Sequence, residues 1–293
     1  MRRAVWRPAT VWTAACATLF CAALFCAALI ASAADLRAQP AEAVVLAPHR
    51  AVYDLKLLQS RGKQSIESVR GRILYDFSGS ACEGYTLNFR QVTELDSGEG
   101  KRATSDLRTS NWEDGPGNAF RFTTENFVDG QAVDNAEGRA ERHDGKIVIT
   151  LTKPEPKRSE AADALFPSDH MRKIVAAARA GKSLLEVATY DGAENGEKFY
   201  NSLTVIGPAV APGQRPPDDA AKPHQSLSAL TRWPVTISYF DRGTQEGDQT
   251  PAYTLSFELY ENGIARAIKL DYGDFVLEGP LTALDLKEAK PCP

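Results

Sequence analysis

The fold class is decided by residues 71–92, GRILYDFSGSACEGYTLNFRQV. Apolar and polar side chains alternate in two runs here, which predicts two strands that each bury one face. The small residues 78–81 between the runs predict a hairpin turn just before Cys82. This stretch therefore predicts antiparallel sheet, with one apolar face formed by Ile73, Tyr75 and Phe77 and then Tyr85, Leu87 and Phe89.

The first 34 residues have the pattern of a secretory signal peptide. Three arginines precede an apolar run over 11–30, and small residues follow at 31–34. This order predicts export, with cleavage after Ala33 or Ala34. The apolar run is also long enough to span a membrane, so an uncleaved anchor is the alternative. Residues 35–48 are rich in Ala and Pro and are expected to form a disordered or extended lead-in.

Loss of the signal would leave two of the five cysteines, Cys82 and Cys292. An even pair in an exported chain predicts one disulfide, with two free thiols as the alternative. The two positions lie 210 residues apart, so the chain-entropy model gives an upper figure of about 5 kcal/mol for the bridge. Two cysteines and four scattered histidines lack the spacing of a zinc site, and no metal or other cofactor is expected.

The charge of the chain argues against a nucleic-acid partner. The full sequence carries 34 basic and 38 acidic residues, and the expected signal removes three of the basic ones. No basic cluster stands out along the remaining chain. Nucleic-acid-binding domains usually show a basic patch or stripe.

The remaining sequence predicts an all-β domain over 49–293 with about a dozen strands. Asp-Gly pairs at 129–130 and 144–145 predict hairpin turns. The interval 208–226 holds five prolines and predicts a surface insertion rather than a linker between domains. The predicted strands lie at 49–57, 65–77, 85–94, 102–112, 120–124, 147–151, 184–189, 198–206, 233–240, 253–259, 264–270 and 275–284.

One helix is predicted, beginning after Pro167 with Ser168 as its N-cap and ending at Gly181. Its apolar positions recur at helical spacing and form one stripe. We expect the stripe to pack on the sheet, with docking of a partner as the alternative. The stripe consists of Met171, Ile174, Val175 and Ala178.

Several segments resemble the cell envelope integrity protein B family of alphaproteobacterial periplasmic proteins. They are HRAVYDLKL at 49–57, ACEGY at 81–85, NWEDG at 111–115, LEVATYDGAENGEKFYNSLTVIG at 185–207 and ELYENGIARAIKLDYGDFVLEGPLTAL at 258–284. The resemblance implies a large open, spiral or half-barrel antiparallel sheet, similar in shape to periplasmic lipoprotein carriers. It also implies a long-range disulfide at the positions of Cys82 and Cys292, and a periplasmic location.

The resemblance further implies a non-enzymatic role in envelope integrity and stress resistance, with a tetratricopeptide-repeat periplasmic protein as partner. Patterns for a nucleophile elbow, a metalloprotease and an EF-hand are absent from the sequence, so no catalytic residue is predicted. The chain is expected to act as a monomer. The alternatives are a lipid or lipoprotein carrier that uses the concave face of the sheet, and a hydrolase of envelope polymers.

The aromatic residues of the strands have two interpretations. They fill the core of the sheet, where large side chains bury much apolar area, or they line a concave face that accepts a lipid or peptide. The candidates for such a lining are Tyr53, Tyr85, Phe120, Phe122 and Phe257.

Overall fold

A computed structural model describes residues 43–61, 66–98, 100–242, 250–289 and 292. The expected signal peptide over 1–34 and the lead-in up to residue 42 lie outside the described residues. Residues 43–293 belong to one compact unit. Within the part of the chain that the structure describes, no helix is long and apolar enough to cross a membrane.

The described residues form 15 strands and two helices. The first half consists of β1 (His49–Ser60), β2 (Ser68–Ser80), β3 (Gly84–Asp96), β4 (Arg102–Glu113), β5 (Ala119–Val128), β6 (Gln131–His143), β7 (Lys146–Lys153), β8 (Lys157–Ala162) and α1 (Pro167–Arg179). The second half consists of β9 (Leu184–Thr189), β10 (Tyr200–Ile206), α2 (Gln225–Ser228), β11 (Arg232–Asp241), β12 (Tyr253–Tyr260), β13 (Ala265–Asp271), β14 (Phe275–Gly279) and β15 (Leu281–Leu286).

All the strands belong to one open antiparallel sheet, so the predicted fold class is confirmed. Strands β1 to β8 form one meander, in which each strand pairs with its neighbour in sequence, and β9 to β14 form a second. The meanders join where β1 pairs with β14 through residues 56–60 and with β15 through residues 49–53. The first and last strands of the domain therefore lie side by side.

The joined ends explain the long-range disulfide, which is present between Cys82 and Cys292. Cys82 lies in the turn between β2 and β3, and the two Cα atoms are 5.7 Å apart. The turn itself is shorter than predicted, because β2 continues through Ser80 and the turn occupies 81–83. The backbone N–H of Glu83 donates to the Ser80 hydroxyl, which closes this turn. The Asp-Gly hairpin turns at 129–130 and 144–145 are confirmed, and all four residues have positive φ.

The sheet has more strands than the dozen expected, and a second helix. Strands β6 and β8 were not predicted, and the single strand predicted over 275–284 is divided into β14 and β15. The sequences QAVDNAEGRAERH of β6 and KRSEAA of β8 lack the apolar alternation that would reveal them. Helix α2 is a four-residue turn that begins at the end of the Pro-rich insertion. That insertion is packed on the sheet: Val210 forms a β-bridge with Arg232, and Asp219 pairs with Arg266 of β13 at 2.8 Å.

The predicted helix is present, but its predicted cap is wrong. The N-cap residue is Phe166, whose side chain makes no capping hydrogen bond, and Ser168 lies inside the helix. The expected stripe does pack on the sheet: Ile174, Val175 and Ala178 are buried in the main apolar cluster. That cluster also contains residues of β1 and of β10 to β15, so α1 covers the second meander.

Residues 43–48, the described end of the expected lead-in, are extended and packed against the domain. Leu46 is only 3% exposed and belongs to an apolar cluster with Phe77 and Tyr85. The backbone N–H of Ala47 donates to the carbonyl of Asn262 at 2.8 Å. This short segment is therefore held against the β12–β13 turn.

Candidate ligand cavity

A cavity of about 660 Å³ lies inside the domain. Its walls come from β2 to β5 of the first meander, from β10 to β13 of the second, and from the first turn of α1. Strands β2 to β5 are separated from β10 to β13 in the strand order by β1 and β14. Because both groups line the same space, the sheet must curve around it. The segment after β9 closes part of the wall with Tyr190, Asp191 and Glu194.

Most of the lining is aromatic or aliphatic. Of the five residues predicted to line a concave face, Tyr85, Phe120 and Phe257 line this cavity. The other two do not. Tyr53 is buried in the main apolar cluster, and its hydroxyl donates to the carbonyl of Ala265 at 2.8 Å. Phe122 is buried in a second cluster, with its ring centroid 5.5 Å from that of Phe120.

Three further tyrosines, Tyr200, Tyr239 and Tyr253, form what we call the tyrosine cluster in the wall of the second meander. The rings of Tyr239 and Tyr253 are stacked with centroids 4.5 Å apart. Tyr200 presents its ring nearly perpendicular to both, at 5.8 Å from each. Tyr239 of β11 pairs directly with Tyr253 of β12. Tyr200 of β10 lies two residues from Ser202, the β10 partner of Tyr239, so the three side chains point to the same face, which lines the cavity.

Carboxyl groups lie beside the tyrosine cluster. Burial raises the pKa of all three tyrosines, and the Asp191 charge raises it further. The Tyr200 hydroxyl donates to Glu194 at 3.2 Å. The Lys198 ammonium group pairs with Glu194 at 3.1 Å and with Asp241 at 3.0 Å. Two carboxyl groups therefore share one cation.

Asp191 itself is held by the backbone and faces the cavity. Its Oδ1 accepts a hydrogen bond from the Ala193 N–H at 3.0 Å. Burial raises the pKa of this carboxyl, and the nearby Glu194 charge raises it further. None of the described residues that line the cavity is Lys or Arg.

Glu113 connects the cavity wall to α1. It is 1% exposed, and its two carboxyl oxygens accept the backbone N–H groups of Ser168 and Asp169 at 2.7 and 2.8 Å. These N–H groups are among those left without a partner at a helix N-terminus, so Glu113 takes the role predicted for Ser168. Burial outweighs these hydrogen bonds and the Arg172 charge, and raises the pKa of Glu113 to about 7.

His170 and Ser202 lie in contact but are not arranged as a base and a nucleophile. The His170 Nε2 atom is 3.4 Å from the Ser202 hydroxyl oxygen, and that hydroxyl donates to the Val187 carbonyl at 3.0 Å. The hydroxyl proton therefore points away from the imidazole, whereas an activated serine donates it to the histidine. Burial lowers the pKa of His170 to about 4, which keeps the ring neutral at pH 7. Ser202 is buried and does not line the cavity.

The lining also contains a buried polar group without a partner. Asn111 is 8% exposed, and its Oδ1 accepts no hydrogen bond from the described residues. Buried polar groups of this kind are uncommon and need a partner such as water or a ligand. Across the described residues, no group of three or more His, Cys, Asp or Glu is placed to hold a metal ion.

Part of this site could have been read from the sequence. Tyr239 shares a strand face with Val235 and Ile237, and Tyr253 shares one with Phe257, so alternation predicts that they point to the same side. Glu113 lies two residues after Asn111 on β4, and both line the cavity, so alternation places them on one face. Asp191 and His170 carry no such signal, because Asp191 follows the end of a strand and His170 is brought to the cavity by the packing of α1.

The curved open sheet and its internal cavity define this protein as an all-β protein with a mostly apolar cavity. It belongs to the EipB-like family, whose model matches residues 40–288.

Two known proteins are similar over most of the chain. The cell envelope integrity protein EipB of Brucella abortus (strain 2308) is 40% identical over 249 residues, covering 85% of this chain and 87% of that protein. The crystal structure of a β-barrel-like protein from Brucella abortus, with a domain of unknown function, has a TM-score of 0.77 and 39% identity. It covers 84% of this chain and 100% of the compared chain.

Proposed function

We propose that this protein is a non-enzymatic periplasmic factor that supports cell envelope integrity by holding an apolar envelope molecule, such as a lipid, in its cavity. The observation that carries the proposal is the cavity of about 660 Å³ with its mostly aromatic and aliphatic wall. This volume falls within the range of small-molecule sites in proteins, about 300 to 1,000 Å³. The envelope role follows from the similarity to EipB of Brucella abortus.

An apolar wall of this kind favours an apolar ligand. Water in contact with aromatic and aliphatic side chains is displaced favourably by another apolar surface. Tyr75, Phe77 and Phe89 extend along one wall, and Leu255 and Phe257 lie along the other. The proposed ligand lies between these walls.

The polar groups of the cavity support binding rather than catalysis. Glu113 is engaged with the N-terminus of α1, and the Ser202 hydroxyl is turned away from His170. Hydrolysis of an envelope polymer requires a nucleophile or a paired acid and base directed at a substrate. The orientation of these groups supports a protein that holds its ligand without changing it.

A second candidate is recognition of a protein partner, such as a tetratricopeptide-repeat protein, at the β9 edge of the sheet. Leu184 of β9 and Val205 of β10 are paired neighbours with 56% and 46% of their surfaces exposed. Exposed apolar patches often mark interaction sites. The other edge, β8, carries Lys157, Arg158 and Glu160, and charges on an edge strand discourage pairing with a further strand.

The first proposal is tested by native mass spectrometry of the protein purified from its periplasm, with an organic extract examined in parallel. We expect an added mass that organic extraction removes and that is identified as an apolar molecule. Leu255→Trp, which fills the cavity, should abolish the added mass, whereas Leu286→Trp, on the exposed face of β15, should retain it. The proposal is contradicted if the added mass persists in Leu255→Trp. It is also contradicted if the wild-type protein neither carries nor takes up an apolar molecule.

The two candidates are separated by complementation of a strain that lacks the protein. If the cavity carries the function, Leu255→Trp fails to restore growth under envelope stress and Leu184→Glu restores it. If the edge carries the function, the results are reversed. Both variants are first compared with wild type for their melting temperatures.

A further inference from the structure

We infer that the cavity selects an amphiphile with a positively charged head group, such as an amine or a quaternary ammonium, and that this group binds between the tyrosine cluster and Asp191. The inference rests on the proposed function, since it names the class of ligand that the same cavity would hold. It concerns the part of the wall formed by the tyrosine cluster, Asp191 and Glu194.

The first step of the argument is the balance of charge. The Lys198 ammonium group pairs with Glu194 and Asp241. Asp191 lines the cavity, and no Lys or Arg is among the described lining residues. A carboxyl group taken out of water without a counter-charge is unfavourable. A ligand cation would supply the missing charge.

The second step is the shape of the aromatic wall. Tyr239 and Tyr253 stack, and Tyr200 stands edge-on to both, so the three rings line one corner. The faces of aromatic rings attract cations, and cages of several rings are the usual recognition site for quaternary ammonium groups. Lys198 already shows this preference in the structure, because its Nζ lies 5.6 Å from the centroid of the Tyr200 ring.

The third step concerns the alternatives for the head group. An anionic head group such as phosphate or carboxylate needs Lys, Arg or converging N–H donors, and no described Lys or Arg lines the cavity. The Asn111 carbonyl oxygen is buried and unpartnered in the same lining. It accepts hydrogen bonds and cannot donate one to an anion. This oxygen and the Asp191 carboxyl group therefore both favour a donor or a cation.

The test compares three amphiphiles with the same twelve-carbon chain and different head groups. Dodecyltrimethylammonium is cationic, dodecyl maltoside is neutral and dodecanoate is anionic. Binding to the full mature protein is measured by isothermal titration calorimetry near pH 7.5, below the micellar concentration of each probe. We expect the cationic probe to bind at least about tenfold more tightly than the neutral one, a difference of about 1.4 kcal/mol, and dodecanoate to bind most weakly.

Two variants locate the effect. Asp191→Asn should remove most of the advantage of the cationic probe and leave dodecyl maltoside binding unchanged. Glu160→Gln changes the net charge by the same amount on the exposed β8 strand and should bind all three probes as wild type does. If Asp191→Asn does not fold, Tyr253→Leu, which keeps an apolar wall but removes a ring face, should weaken the cationic probe selectively.

The outcomes separate this inference from the proposed function. Equal binding of the three probes overturns the head-group inference and retains the apolar cavity as a binding site. Tightest binding of dodecanoate also overturns the inference. Failure of all three probes to bind contradicts both. An equal loss of the cationic advantage in Asp191→Asn and Glu160→Gln would assign the effect to net charge and overturn the site.

Discussion

The buried pair of titratable groups at the start of α1 should control the pH dependence of stability. Glu113 and His170 both line the cavity, but burial shifts their pKa values in opposite directions, to about 7 and to about 4. We expect Glu113→Gln and His170→Gln to change the pH profile of the unfolding free energy with opposite signs. Each variant removes one titration and leaves the other in place.

The sign for Glu113 follows from where its proton is bound. Between an ordinary pKa of 4.5 and the folded pKa of about 7, the folded state holds the proton and the unfolded state has released it. The stability that this group contributes is therefore fully present when the pH is below the ordinary pKa, and it is lost as the pH rises through the folded-state pKa. At 1.36 kcal/mol for each pH unit between the two values, the loss amounts to about 3 kcal/mol.

The sign for His170 is the reverse. Its folded pKa of about 4 lies below its ordinary 6.5, so the unfolded state binds the proton first. The stability that His170 contributes is fully present when the pH is above the ordinary pKa, and it is lost as the pH falls through the folded-state pKa. The loss is again about 3 kcal/mol. In the wild type the two contributions largely cancel over the interval in which both groups titrate.

Urea unfolding across this pH range, extrapolated to water, measures the effect. We expect Glu113→Gln to become more stable relative to wild type as the pH rises from about 4.5 to about 7, and His170→Gln to become less stable as the pH rises from about 4 to about 6.5. Differences from wild type at each pH remove the contributions of other groups with shifted pKa values, such as His49 and Asp191. Profiles that stay parallel to wild type within about 0.5 kcal/mol would refute the reasoning.

Two further predictions concern stability. Cys82→Ser should lower the melting temperature by several degrees and increase protease sensitivity, because the bridge closes a long loop in the unfolded chain; equal melting of oxidised and reduced wild type would contradict this. Both Gly192 and Gly145 have positive φ, so alanine is strained at either position. Gly192→Ala should lower the unfolding free energy more than Gly145→Ala, because a Cβ at 192 would clash with the Phe122 ring and the space at 145 is open. We expect the extra cost at 192 to be about 1 to 3 kcal/mol, and equal unfolding free energies for the two variants would show that the ring moves freely.

The sequence predicted the sheet well because strand formation leaves a local trace. Alternating residues such as Ile73, Tyr75 and Phe77 show the period of two, and the Asp-Gly pairs mark the hairpin turns. Strands β6 and β8 were missed because most of their residues are polar or small. The N-cap of α1 was assigned to Ser168 because the group that fills this role, Glu113, lies 55 residues earlier in the chain.

The candidate site was predicted only in part. Alternation shows which residues share a face of the sheet. It does not show whether that face packs in the hydrophobic core or lines a cavity. Tyr53 and Phe257 were equivalent candidates on this evidence; the first packs in the core and the second also borders the cavity. The curvature of the sheet decides between the two outcomes, and curvature arises from the pairing of distant strands.

By itself the sequence determined the all-β class, the hairpins, the amphipathic helix and the pair of cysteines that form the bridge, because each depends on residue type and on spacing along the chain. The tertiary structure alone decided that β1 lies beside β14 and β15, that Glu113 caps α1, and that Asp191 and the tyrosine cluster line the same cavity. These contacts join residues far apart in sequence. Their energies depend on burial and on the distance between charges, and neither quantity exists until the sheet has curved around its cavity.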